Sequence, residues 1–116
     1  MPRSARATAR LEESASVFAA LGDETRLRLV SRLCGEGPTS IAKLTTAFDV
    51  TRQAITKHLT VMERAGLVSR SQRGRESLWR LEQKRLDEAH RCLQLISKEW
   101  DDTLGRLKRF VEREEG

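Results

Sequence analysis

Two short apolar stripes of helical period, separated by almost nothing, constrain this chain more than any other feature. Ser40 follows a Gly-Pro pair, and Ile41, Leu44 and Phe48 then fall on one side of a helix. Thr51 follows within three residues, and Ile55, Leu59 and Met62 recur at i, i+4 and i+7 before Gly66. Ser and Thr suit N-caps because their oxygens accept backbone N–H groups of the first turn, and Gly suits a helix stop. The pattern predicts a helix, a tight turn and a second helix, held at a fixed angle by a shared core. A capping box at Ser40 would place Glu or Gln at position 43; Lys43 stands there instead, leaving a weaker cap and a more positive surface.

The segments on either side extend the pattern. Leu11, Val17, Phe18 and Leu21 recur at roughly helical spacing and stop at Gly22, predicting a first helix. Asp23 is placed to cap a second helix in which Leu27, Val30 and Leu33 are expected to face the core, ended by Gly35, Gly37 and Pro38. Beyond Gly66, residues 67–71 and 77–81 read as strands around a polar turn of Gln72, Arg73, Gly74 and Arg75, where Gly74 can take positive φ. From about Gln83 the chain returns to helix. Leu86, Leu93, Trp100 and Leu107 are spaced by heptads, with Ala89, Ile96, Thr103 and Phe110 three residues after each. A stripe sustained over that length predicts a seam shared with another helix.

Length allows one domain, since 116 residues leave no room for two cores of ordinary size. The organisation expected is a flexible basic arm (1–10), a four-helix and hairpin unit (11–82) and a C-terminal association helix (83–116). No run of about 18 apolar residues is present to span a bilayer, and the N-terminus lacks the apolar stretch and cleavage site of a secretory signal, so a cytoplasmic location is expected. Cys34 and Cys92 are too few and too distant in sequence for a disulfide framework or a clustered zinc site; reduced, buried thiols are expected.

The net charge of +5 is concentrated. Residues 51–80 hold seven basic side chains (Arg52, Lys57, Arg64, Arg70, Arg73, Arg75, Arg80) against Glu63 and Glu76, so this segment alone accounts for the whole excess. With Ile55, Leu59 and Met62 committed to the core, the opposite face of that helix presents Arg52, Gln53, Thr56, Lys57 and Thr60, without an acid at its N-terminal end. A polyanion is the partner such a face suits. An enzyme is not indicated: there is no glycine-rich phosphate loop, no metal-ligand cluster, and no nucleophile with a neighbouring base in a recognisable motif. Asp101 and Asp102 are adjacent in a helix and therefore point in different directions.

The order and spacing of LGDETRLRLV (21–30), GPTSIAKL (37–44), VTRQAITKHLTVMERAGLV (50–68) and LWRL (78–81) resemble the ArsR family of small winged-helix repressors over residues 14–113. Among its members the chain is most similar to those with a tryptophan in the last helix and no evident metal site. The resemblance implies a mostly α fold with a small β-hairpin wing, a winged helix-turn-helix, and a homodimer through the N- and C-terminal helices. Leu86, Leu93, Ile96, Trp100, Leu104 and Leu107 would supply the seam. Double-stranded DNA is the implied partner, in the form of a pseudo-palindromic operator, because a two-fold dimer sets its recognition helices in major grooves about 34 Å apart.

On that reading, Thr51 caps the recognition helix, and Arg52, Gln53 and Thr56 are expected to read bases. Arginine pairs with guanine, glutamine with adenine, and the threonine methyl touches thymine. Lys57 and Ser40 are expected on phosphates, and Arg73 and Arg75 on the backbone or in the minor groove. His58 is divided between a structural role and DNA contact. Trp79 is read as packing.

Departures from the family pattern matter as well. The third helix lacks the cysteines of metal-sensing members, and Asp87 and His90 have no second histidine after them, so no metal or other cofactor is expected. Cys34 and Cys92 superficially match a thiol switch, but Ser31 stands where the switch cysteine belongs and Cys92 comes early in the last helix. A redox-switched repressor and a dimeric protein-interaction module remain alternatives, and an unknown small molecule is a possible effector.

Overall fold

A computed structural model describes residue 12 and residues 14–115. The expected basic arm, including Arg3, Arg6 and Arg10, and Leu11 of the first stripe lie outside the described residues. Helix α1 covers residues 14–21, followed by α2 (Glu24–Glu36), β1 (Thr39–Ser40), α3 (Ile41–Ala47), α4 (Arg52–Arg64), β2 (Val68–Arg73), β3 (Glu76–Leu81) and α5 (Gln83–Glu115). The mostly helical fold with a β wing is as the sequence predicts. No described helix is long and apolar enough to cross a membrane.

The caps read from sequence are made. Asp23 Oδ2 accepts from the Arg26 N–H at 3.0 Å, Ser40 Oγ from Lys43 N–H at 3.2 Å, and Thr51 Oγ1 from Ala54 N–H at 3.1 Å. Each satisfies one of the N–H groups that a helix start leaves unpaired. At the other end of α4, Gly66 takes φ 76°, and the Leu67 N–H returns to the Met62 carbonyl at 2.9 Å. This closure turns the chain from α4 directly into the wing.

A single core joins all these elements. Val17 and Ala20 of α1, Leu29 and Leu33 of α2, Leu44 of α3, Ile55, Leu59 and Met62 of α4, and Leu67, Val68, Trp79 and Ala89 are buried together. Phe18, Leu21, Val30, Ile41, Phe48, Leu81 and Leu86 pack against them, partly exposed. One expected core residue is wrong: Leu27 is 51% exposed, and Leu29 takes its place. The reason is angular. Leu27 and Leu33 are six residues apart, about 240° around a helix, so they cannot face the same way, whereas Leu29, Val30 and Leu33 can.

The wing is a three-stranded antiparallel sheet of order β1-β3-β2, where the sequence showed only a hairpin. Thr39 pairs with Trp79 and Ser40 with Leu78, so the short extended stretch before α3 ties the helix-turn-helix to the wing. The strands also run further than expected. Gln72 and Arg73 pair with Ser77 and Glu76, leaving Gly74 and Arg75 as a two-residue turn. Gly74 has φ 64°, and among the described residues none other than glycine has positive φ, so the turn shows the φ pattern of type II′, with glycine at its first central position.

Candidate nucleic-acid interface

Burial of Ile55, Leu59 and Met62 turns the other side of α4 outward. Arg52, Gln53, Thr56 and Lys57 are exposed, and Thr60 is half-buried beside them. The Thr56 hydroxyl donates to the Arg52 carbonyl at 2.9 Å, and the Thr60 hydroxyl to that of Thr56 at 2.9 Å. These hydroxyl protons are therefore committed to the backbone, and what Thr56 can offer a partner is its methyl group and an acceptor lone pair.

Ser40, Ile41, Ala42, Arg52, Thr56, Arg70, Arg75, Glu76, Ser77 and Trp79 line a groove of about 450 Å³. It runs between the start of α4, the start of α3 and the wing. Three arginines and one glutamate border it, so it is positive overall. Arg70 was absent from the residues the sequence singled out for contact. Its guanidinium lies over the Trp79 ring, 5.6 Å from the centroid, which fixes it at the groove wall. The signal in the sequence was indirect: Arg70 sits within the basic segment, but only the strand register sets it opposite Trp79.

His58 leaves the exposed row. Its Nδ1 is 3.3 Å from an Arg26 guanidinium nitrogen and 3.8 Å from Asp23 Oδ2, at the junction of α1 and α2. Arg26 in turn donates through Nε to the Ala20 carbonyl at 2.6 Å. The histidine thus ties α4 to the N-terminal helices, as in the structural half of the sequence expectation, and the ring is only 24% exposed. The Arg26 N–H at its cap holds the Asp23 carboxyl below the ordinary carboxylate range, against a desolvation effect in the other direction. At the base of the wing, Ser69 Oγ donates to Glu82 Oε1, and the Arg80 guanidinium stands 3.3 Å from the same carboxylate. Chiefly the serine hydrogen bond, with Arg80 assisting, lowers the Glu82 pKa.

Elsewhere Arg73 and Arg75 are exposed at the wing tip, and Thr51 is exposed while serving as the α4 cap. Lys43 Nζ lies 3.7 Å from Glu36 Oε2, so the positive charge expected at the α3 start is partly answered by α2. The thiols are free but unlike one another: Cys92 is buried, whereas Cys34 is exposed, contrary to the expectation that both are buried. Cys34 falls on the outward side of α2, one position past the core residue Leu33, whereas Cys92 is buried on the same inward side of α5 as Ala89. No group of three His, Cys, Asp or Glu side chains able to hold a metal gathers among the described residues.

A capped helix-turn-helix that exposes an acid-free polar row, braced by a basic β wing, defines a winged-helix DNA-binding transcriptional regulator. Residues 21–70 match the family model described as a helix-turn-helix domain. The chain belongs to the ArsR family. An ArsR-like transcriptional regulator from Rhodococcus sp. RHA1 superposes with a TM-score of 0.75 at 41% identity, over 85% of this chain and 92% of that one. The HTH-type transcriptional regulator YuzN of Bacillus subtilis is 41% identical over 66 residues, 52% of this chain and 72% of its own. The arsenical resistance operon repressor of Escherichia coli is 34% identical over 85 residues, 67% of this chain and 73% of its own.

Proposed function

We propose that this protein is a non-enzymatic, homodimeric repressor of the cytoplasm that binds a pseudo-palindromic operator in double-stranded DNA. Helix α4 enters the major groove, where Arg52, Gln53 and Thr56 read base edges and Lys57 contacts a phosphate. Ser40, Arg70, Arg73 and Arg75 hold the sugar-phosphate backbone or enter the minor groove. His58 acts behind this surface, holding α4 on the domain. The observation that carries the proposal is the continuity of the exposed α4 row with the arginine-bordered groove beneath the wing.

The homodimer is supported by the outward apolar stripe of α5. Leu93, Ile96, Trp100, Leu104 and Leu107 stand exposed along it, while Leu86, which the family resemblance also placed in the seam, packs against its own core. Repression then follows from occupation of DNA that polymerase requires.

The test is a fluorescence-anisotropy titration of the DNA upstream of the protein's own gene against a scrambled duplex, at two salt concentrations. Specific binding that falls steeply with salt, and loses sequence preference in an Arg52→Ala, Gln53→Ala variant, is the expected result. A selection from random duplexes that returned no palindrome would overturn the operator reading.

A further inference from the structure

Successive side chains along a strand alternate between its faces, so Arg70 and Gln72 share one face of β2, and their ladder partners Trp79 and Ser77 share the same face of β3. The Arg70 guanidinium over the Trp79 ring marks this face as the groove side of the wing. Gln72 is exposed and stands two residues nearer the tip than Arg70, about 7 Å further along the strand. Its partner Ser77 is half-buried and also lines the groove.

The two side chains are bonded in one sense. The Ser77 hydroxyl donates to Gln72 Oε1 at 3.2 Å. A glutamine amide has an acceptor end and a donor end, and engaging one turns the other away. Here the acceptor end is engaged, so the nitrogen with its two N–H groups points away from Ser77, and no acceptor among the described residues meets it. These donors stand between Arg70 and the tip arginines, Arg73 and Arg75, on a surface made positive by all three.

The DNA minor groove distinguishes the two directions of such an amide. A·T and T·A pairs present only acceptors there, adenine N3 and thymine O2, whereas a G·C pair adds the 2-amino donor of guanine. An outward amide nitrogen bonds the first kind and meets the second donor to donor. A reversed amide would do the opposite, its Oε1 accepting from the guanine amino group. Arginine has no such choice, because a guanidinium carries donors only and responds to groove width and potential.

We propose that Gln72 is a base-reading residue of the wing that selects A·T over G·C in the minor groove, and that Ser77 is its positioning residue, holding the donor end of the amide outward. The inference rests on the DNA-binding reading proposed above and adds the residues that specify the flank of each half-site.

The experiment selects binding sites from random-sequence duplexes with the full chain, as wild type, Gln72→Ala, Ser77→Ala and Ser77→Thr, and sequences the recovered pools. In the wild-type pool, one position outside the bases read by α4 in each half-site is expected to favour A·T over G·C by about tenfold. Gln72→Ala and Ser77→Ala are expected to lower that ratio by about threefold or more and to leave the α4-read positions unchanged. Ser77→Thr keeps the hydroxyl donor and is expected to keep the ratio. The width preference of Arg73 and Arg75 is common to all four proteins, so the change in ratio isolates the amide. In anisotropy titrations with the wild type, inosine in place of guanine at the flank removes only the 2-amino group and is expected to restore affinity.

If Ser77→Ala weakens binding to every duplex alike with base preferences intact, its role is merely structural and the proposal is overturned. An unchanged ratio in Gln72→Ala, or no gain with inosine, also overturns it. A wild-type consensus without a flank preference rejects the reading of Gln72 and leaves operator binding standing. A wild-type pool with no consensus rejects both.

Discussion

Arg70 on β2 lies directly across the ladder from Trp79 on β3, its guanidinium carbon 5.6 Å from the centre of the indole ring. The two residues divide the labour of the wing. Trp79 is 4% exposed and belongs to the core, whereas Arg70 is exposed and borders the groove beside Arg52 and Thr56. Arg70→Ala is therefore expected to leave stability almost unchanged and to weaken binding to all duplexes alike, lowering the slope of log affinity against log salt by about 1. Trp79→Ala is expected to cost about 3 kcal/mol of folding stability in urea denaturation.

Base reading by α4 predicts a different signature. Gln53→Ala or Arg52→Ala is expected to reduce discrimination between the preferred operator and single-base variants by about 1–3 kcal/mol, at one position of each half-site. Lys57→Ala should lower affinity without changing the order of preference. Competition titrations against a panel of duplexes distinguish these outcomes.

The Gly66 conformation closes α4 and starts the wing. Its φ of 76° disfavours any side chain, and a Cβ there would lie 2.8 Å from Arg85 Nε, a contact the flexible arginine can relieve. Gly66→Ala is thus expected to cost about 1 kcal/mol, through backbone strain and not through crowding. A Gly66→Ala, Arg85→Ala double variant that regained full stability in urea would show the opposite.

Two carboxylates carry a pH dependence of known sign. Asp23 is lowered chiefly by the Arg26 N–H, and Glu82 chiefly by the Ser69 hydroxyl. A group whose pKa is lower folded than unfolded binds fewer protons in the native state. Its stabilisation is therefore complete above the ordinary carboxylate pKa of about 4, and is lost as pH falls through the lowered native value. Denaturation midpoints of the wild type should fall more steeply below about pH 5 than those of Asp23→Asn or Glu82→Gln.

The two cysteines should separate by reactivity. Cys34 is exposed and is expected to react promptly with a thiol reagent in the native protein, while buried Cys92 reacts only on unfolding. Equal native rates would contradict the packing of α5 on the core.

Periodicity and capping chemistry are local, and they determined most of this protein in one dimension. The stripe of Ile55, Leu59 and Met62 decided which side of α4 is inward, and hence that Arg52, Gln53, Thr56 and Lys57 face out. Asp23, Ser40, Thr51 and Gly66 marked where helices begin and end, because each satisfies its backbone from its own side chain or its own φ. Only the tertiary structure decided the rest. The register of α2 depended on which of Leu27 and Leu29 met the core, two positions equally apolar in the sequence. The third strand at Thr39 and Ser40 arises from a pairing with Leu78 and Trp79 about forty residues away, for which a two-residue segment carries no periodic signal. His58 is drawn from the exposed row by Asp23 and Arg26, and Arg70 is brought to the groove by Trp79. In each case the deciding partner is distant in the chain, and nothing in local spacing encodes a contact that forms only when separate elements pack.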